Sequence, residues 1–82
     1  MRTLDKQVLV FRGWEAGFNK VAFTALMEKE VGVGLEAAKA LTDKLLAGEA
    51  VIVWVRDPVR TVDQAQNLGA NVVRDPWSRN AN

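Results

Sequence analysis

The sequence predicts a small α+β domain: a two-layer sandwich, β-α-α-β-α-β, with three helices over one face of a three-stranded, mostly antiparallel sheet. Three observations lead there. The runs QVLVF at Gln7–Phe11 and AVIVWV at Ala50–Val55 are short and rich in β-branched and aromatic residues, as strands are. Good helix formers with apolar residues at helical spacing fill the stretches between and after them. With only 82 residues, one domain must bury both kinds of surface, and two packed layers do so most economically. The domain is expected over residues 1–74, with a loose polar tail over residues 75–82.

Each element has its own local signal. Gln7–Phe11 reads as a strand running into a loop at RGW. Asn19 is placed to cap a helix through KVAFTALMEKEV, because its side chain can accept from free backbone N–H groups. Phe18, Ala22, Ala25 and Leu26, extended by Phe23 and Met27, form its predicted buried face; Lys20, Thr24 and Glu28 form the opposite stripe. Gly32 is expected to end this helix, and Gly34 to let the next begin at close quarters. That second helix carries Leu35, Ala38, Leu41 and Leu45 on one side and stops before Gly48. Asp57 as N-cap and Pro58 at the first helical position start the third helix; Gly69 ends it, and ANVV is the third strand.

Composition excludes much chemistry. There is no cysteine, histidine or tyrosine, which removes disulfides, thiol nucleophiles, zinc-finger ligand sets and the usual neutral-pH base. The acid pairs Glu28/Glu30 and Asp57/Asp63 make no catalytic site: Glu28 and Glu30 do not share a helix face, and Asp57 is a cap. The Gly-x-Gly at Gly32 and Gly34 follows a helix, whereas a dinucleotide loop follows a strand. No enzyme activity, metal or cofactor is expected. Eleven basic against ten acidic residues give no electrostatic case for nucleic acid or acidic membranes; a nucleic-acid-associated protein, which the C-terminal arginines Arg56, Arg60, Arg74 and Arg79 permit, is the lesser alternative. Neither apolar run reaches the length of a signal core or a membrane span, so the default expectation is a cytoplasmic protein.

NKVAFTALMEKEVGVGLEAAKALTDKLLAG, with NLGANVV later, resembles the C-terminal domain of the bacterial large-subunit ribosomal stalk protein. Asn19, Lys20, Val21, Ala22, Gly32, Gly34, Leu35, Ala38 and Lys39 match that family's pattern in register without a gap. Leu68, Gly69 and Ala70 correspond to its second motif, so the resemblance covers residues 7–74. LLAGEAVIVWV also looks like a passage of the Clp protease adaptors of the ClpS type, which share that fold. Arg12–Trp14 stand where those adaptors carry an Asn-Asp-Asp run, so their mode of degron recognition is not implied.

The resemblance implies a protein-binding module or adaptor that uses the first helix and the glycine corner. Carried over position by position, Lys20, Gly34, Leu35 and Lys39 match the family's binding surface. Thr24, Ala25, Glu28 and Ala37 stand where the family has an aliphatic, two basic and an acidic residue. The expected partner-binding set is therefore Lys20, Thr24, Glu28, Gly34, Leu35 and Lys39, with a partner other than the usual translation factor.

The strands suggest a second surface. Neither VLVF nor VIVWV alternates apolar with polar, although one face of a two-layer sheet lacks helices. Leu9, Phe11, Ile52 and Trp54 are the candidate exposed set, available for a homo-oligomer or a larger complex unless the tail, with Trp77, folds over it. Trp14 is either a lid on the core edge or an exposed anchor.

Overall fold

A computed structural model describes residues 6–74 of the chain. The predicted tail at residues 75–82, including Trp77, lies outside the described residues. The elements are β1 (Gln7–Trp14), α1 (Lys20–Val31), α2 (Leu35–Leu46), β2 (Val51–Val55), α3 (Pro58–Asn67) and β3 (Ala70–Arg74). The sheet order is β2-β1-β3, and both pairings are antiparallel. The architecture is the predicted two-layer α+β sandwich.

Local rules account for the helix ends. The Asn19 side chain accepts from the Ala22 N–H at 3.0 Å, and Asp57 does the same for Arg60 at 3.1 Å. Gly32 takes a left-handed backbone (φ +82°), and its N–H donates to the Glu28 carbonyl, closing α1. Gly34 is different. Its φ is −75°, and apart from Gly34 itself and its chain neighbours no atom lies within 4 Å of where a Cβ would be. The close approach expected there is absent; Gly34 is an N-cap without a side chain.

The core joins Leu9 and Phe11 of β1, Val51, Val53 and Val55 of β2, Phe23, Leu26 and Met27 of α1, and Ala38 and Leu45 of α2. Phe11 and Phe23 meet edge to face, centroids 5.7 Å apart at 88°. This corrects the proposed exposed set. Leu9 and Phe11 have no exposed surface. The register is the reason: Leu9 pairs with Val53 and Phe11 with Val51, whereas Val8 pairs with Trp54 and Val10 with Ile52. Paired residues share a face, so Leu9 and Phe11 go inward with the odd-numbered valines. Ile52 and Trp54 point away from the helices and are 61% and 56% exposed.

β1 also runs farther than its composition suggests. It continues through RGW to Trp14, with two register shifts against β3 and a positive φ at Gly13 that absorbs the irregularity. The following loop is strapped to the α3–β3 turn: Glu15 donates its N–H to the Gly69 carbonyl at 2.7 Å, and Asn19 to that of Leu68 at 2.9 Å. Gly69 (φ +97°) lies against Phe18, where an added Cβ would come 3.0 Å from the Cα. Trp14 lies on this strap, its ring tilted against Phe18 and its indole N–H donating to the Leu46 carbonyl at 3.4 Å. It therefore covers the core edge while staying about half exposed.

α1 buries Phe23, Leu26, Met27 and Glu30, a clean i, i+3, i+4, i+7 stripe whose last member is charged. Ala25, predicted on that face, is exposed and Ala22 only half buried, because the helix is rotated toward Phe23 and Met27. Arg60 of α3 answers Glu30: its Nη2 donates to Oε1 at 3.2 Å and lies 3.1 Å from Oε2. The hydrogen bond to Glu30, then the Glu30 charge, raises the Arg60 pKa above its ordinary value. The arginine thus keeps its charge at every pH below the usual arginine range.

Candidate functional site

The seam between α1 and α2 is built from the glycine corner outward. Gly32 turns the chain, and Gly34 supplies the carbonyl that accepts the first α2 bond, from Ala38 N–H at 2.9 Å. The two helices then run side by side, held by one polar contact. The Thr24 and Thr42 hydroxyls lie 2.6 Å apart, while Thr24 also donates to the Lys20 carbonyl and Thr42 to that of Ala38. Two hydroxyl protons serve three contacts, so the pair shares its bonds. Thr24, expected on the solvent-facing stripe, is half buried, because it ties α1 to α2.

Two grooves open along this seam. One, ≈ 230 Å³, is lined by Val21, Thr24, Ala25, Glu28, Leu35 and Lys39. The other, ≈ 350 Å³, is lined by Lys20, Val21, Thr24, Lys39, Thr42 and Asp43. They share Val21, Thr24 and Lys39, so they form one continuous surface. Five of the six predicted partner-binding residues line it, and Gly34 adjoins Leu35 at the corner. Leu35 does not join the buried stripe of α2 as expected. It is 51% exposed and leans over α1, while Ala38, Thr42 and Leu45 hold the core side.

Val21, 75% exposed, was not assigned a role from sequence, yet it lines both grooves of this surface. Periodicity sets it apart from the Phe23 face, and an outward valine on a helix is the signal that could have found it. Both signs of charge line it: Lys20 and Asp43 the wider groove, Glu28 the narrower one, and Lys39 both. Among the described residues, the ion pairs all involve Arg60, not these lysines.

Other surfaces compete. An apolar groove of ≈ 390 Å³ between α1 and α3 has Ala22, Ala25, Leu26 and Leu68 as its floor. No sequence signal marks it, because its walls come from elements far apart in the chain. The open sheet face carries Ile52, Trp54 and Val73, the last 57% exposed. Among the described residues, no three His, Cys, Asp or Glu side chains converge as a metal would require. Nor is any helix there long and apolar enough to cross a membrane.

A search against family models, curated proteins and solved structures finds no match to this chain.

Proposed function

We propose that the chain is a non-catalytic protein-recognition module whose docking surface is the α1–α2 seam. One observation carries this reading: side chains from two helices converge on a continuous groove in which exposed Val21 is shared along its length, exposed Leu35 adds an aliphatic surface toward the glycine corner, and charged residues stand among them. Apolar surface set among polar groups is the ordinary anatomy of a protein interface. The helices that form it are fixed from below by the core, and α1 is capped at both ends, so the partner meets a rigid surface and little ordering entropy is lost on docking.

The likeness of the glycine corner to the stalk family supports the same surface. Ala25 and Glu28 replace basic residues of that family, and Glu28 puts a carboxylate in the narrower groove. We therefore infer a partner that presents an apolar side chain to Val21 and Leu35 and an acidic group to Lys20 and Lys39. A uniformly acidic partner surface is disfavoured by Glu28.

The test is quantitative affinity capture from the native cell with the tagged chain and three variants. Leu35→Asp and Lys20→Glu should each lower capture of the specific partner about tenfold, equivalent to about 1.4 kcal/mol. Val59→Asp, at an exposed position on α3, should leave it unchanged. Full capture by Leu35→Asp would move the docking surface elsewhere.

A further inference from the structure

A nearly balanced net charge conceals a segregation of charge. The strands β1, β2 and β3 contain no acidic residue, whereas the helices carry Glu28, Glu30, Glu36, Asp43 and Asp63. Leu9 and Phe11 point to the helices, so alternation puts Val8, Val10 and Arg12 on the open side of the sheet. Val8 pairs there with Trp54 and Val10 with Ile52, and both partners are more than half exposed. Lys6 and Arg56 each stand one residue beyond the last pair, Gln7↔Val55, and both are exposed. Lys6 also lines a groove with Ile52 and Trp54, so a cation lies close to the indole. Arg12, exposed as well, stands at the other end of the face, about 20 Å along β1 from Lys6. Among the described residues, the ion pairs involve none of these cations. Asp57, the acid next to Arg56, is turned to α3, where it accepts from the Arg60 N–H.

We propose that the open sheet face binds single-stranded nucleic acid, with a base stacked on Trp54 and backbone phosphates on Lys6, Arg56 and Arg12. The occupant has to offer a flat apolar surface to the indole and anions on either side of it. Every nucleotide of a single strand carries that pattern, an unpaired base with a π-face bracketed by phosphates. A protein partner would have to build it from acids set around an apolar centre by its own sequence. A duplex keeps its base faces inside the stack, where the indole cannot reach them. An antiparallel sheet with one bare face is also a platform on which bases can lie flat, and exposed Ile52 and Val73 widen it.

Charge count and charge placement thus point different ways, and for a polyanion placement decides. Phosphates are attracted by the cations within a Debye length of them, about 10 Å at moderate salt, and the acids of the helix layer lie behind the sheet. Stacking and phosphate contact read neither base identity nor the sugar, so the binding is sequence-tolerant and serves RNA and DNA strands alike. It is independent of the α1–α2 seam, whose grooves are lined by helix residues alone.

The test is fluorescence anisotropy of a short labelled oligothymidylate titrated with the full chain over a range of salt. Binding should weaken as salt rises, with a log–log slope of about −2 for three neutralised phosphates. Trp54→Ala should lower affinity about 5- to 150-fold at fixed salt, the loss of one stacked base, and leave the slope unchanged. Trp54→Phe should keep most of the binding. Arg12→Gln should make the slope shallower by about 0.7. Val21→Ala, in the seam, should change neither quantity. Far-ultraviolet circular dichroism checks that each variant is folded. No binding at low salt overturns the proposal, as does binding that Trp54→Ala leaves intact or that Val21→Ala abolishes. Tighter binding of a duplex of the same length overturns it too. Without oligonucleotide binding, retention on phosphatidylserine vesicles, or a sedimenting dimer that Trp54→Ala breaks, would give the face another occupant and overturn it equally.

Discussion

Replacing Phe11 and Trp54 in turn by alanine tests the assignment of the two sheet faces. Phe11 is wholly buried and meets Phe23 edge to face. Truncating a buried phenylalanine removes its transfer energy and leaves a cavity, a loss of about 3–5 kcal/mol. A domain of this length has about 4–12 kcal/mol in total, so Phe11→Ala is brought close to unfolding. Phe11→Leu keeps most of the volume and loses mainly the aromatic contact, about 1–1.5 kcal/mol. Trp54 is larger but points outward, more than half exposed and paired across the strands with Val8, so Trp54→Ala should cost below about 1 kcal/mol. Urea unfolding followed by far-ultraviolet circular dichroism, at low protein concentration, separates these cases without relying on tryptophan emission. With an m-value of about 1–3 kcal/mol/M, Phe11→Ala should lower the midpoint by more than about 1 M and Trp54→Ala by much less. If Trp54→Ala shifted the midpoint as far as Phe11→Ala, the outer face would be covered and the assignment wrong.

Two further outcomes follow from the seam. Gly32→Ser should destabilise the fold by about 1–2 kcal/mol, because a side chain is forced into left-handed backbone, whereas Gly34→Ser should be neutral or gain a few tenths by adding a cap; equal losses in thermal unfolding would refute the distinction. Thr24→Val and Thr42→Val should each cost about 1 kcal/mol, and the double variant should cost less than their sum, since both remove the same shared contact; strict additivity in a double-mutant cycle would show that the hydroxyls act separately.

Rules of short range made much of the fold legible. Asn19, Gly32, Asp57 and Pro58 each act through backbone groups within one helical turn, and the helices begin and end where those residues stand. The strand faces were not legible in the same way. VLVF and VIVWV are apolar on both sides, so alternation cannot say which side meets the helices; only the pairing of Leu9 with Val53 decides it. The end of β1 was hidden because a glycine that normally breaks a strand here absorbs a bulge. Glu30 and Thr42 were hidden as core residues because each is compensated by a residue remote in sequence, Arg60 and Thr24. For the seam, the corner motif pointed to Lys20, Leu35 and Lys39, but Val21 needed the rotation of α1, which only packing determines.

The central place of β1 has a consequence for how the chain assembles. β1 precedes the other elements of the described residues, yet its two partners, β2 and β3, and the turn that straps its loop all come from the later half. During synthesis it therefore leaves the ribosome before either of its partner strands in this sheet, while α1 and α2 can already pack as a local hairpin. Closing the sheet waits on contacts across most of the chain, which slows folding relative to a helical bundle of the same size. Order of synthesis and order of assembly are opposed. The strand that emerges first waits longest, and a nascent chain halted before Ala70 holds a helical pair beside a strand still bare on one side.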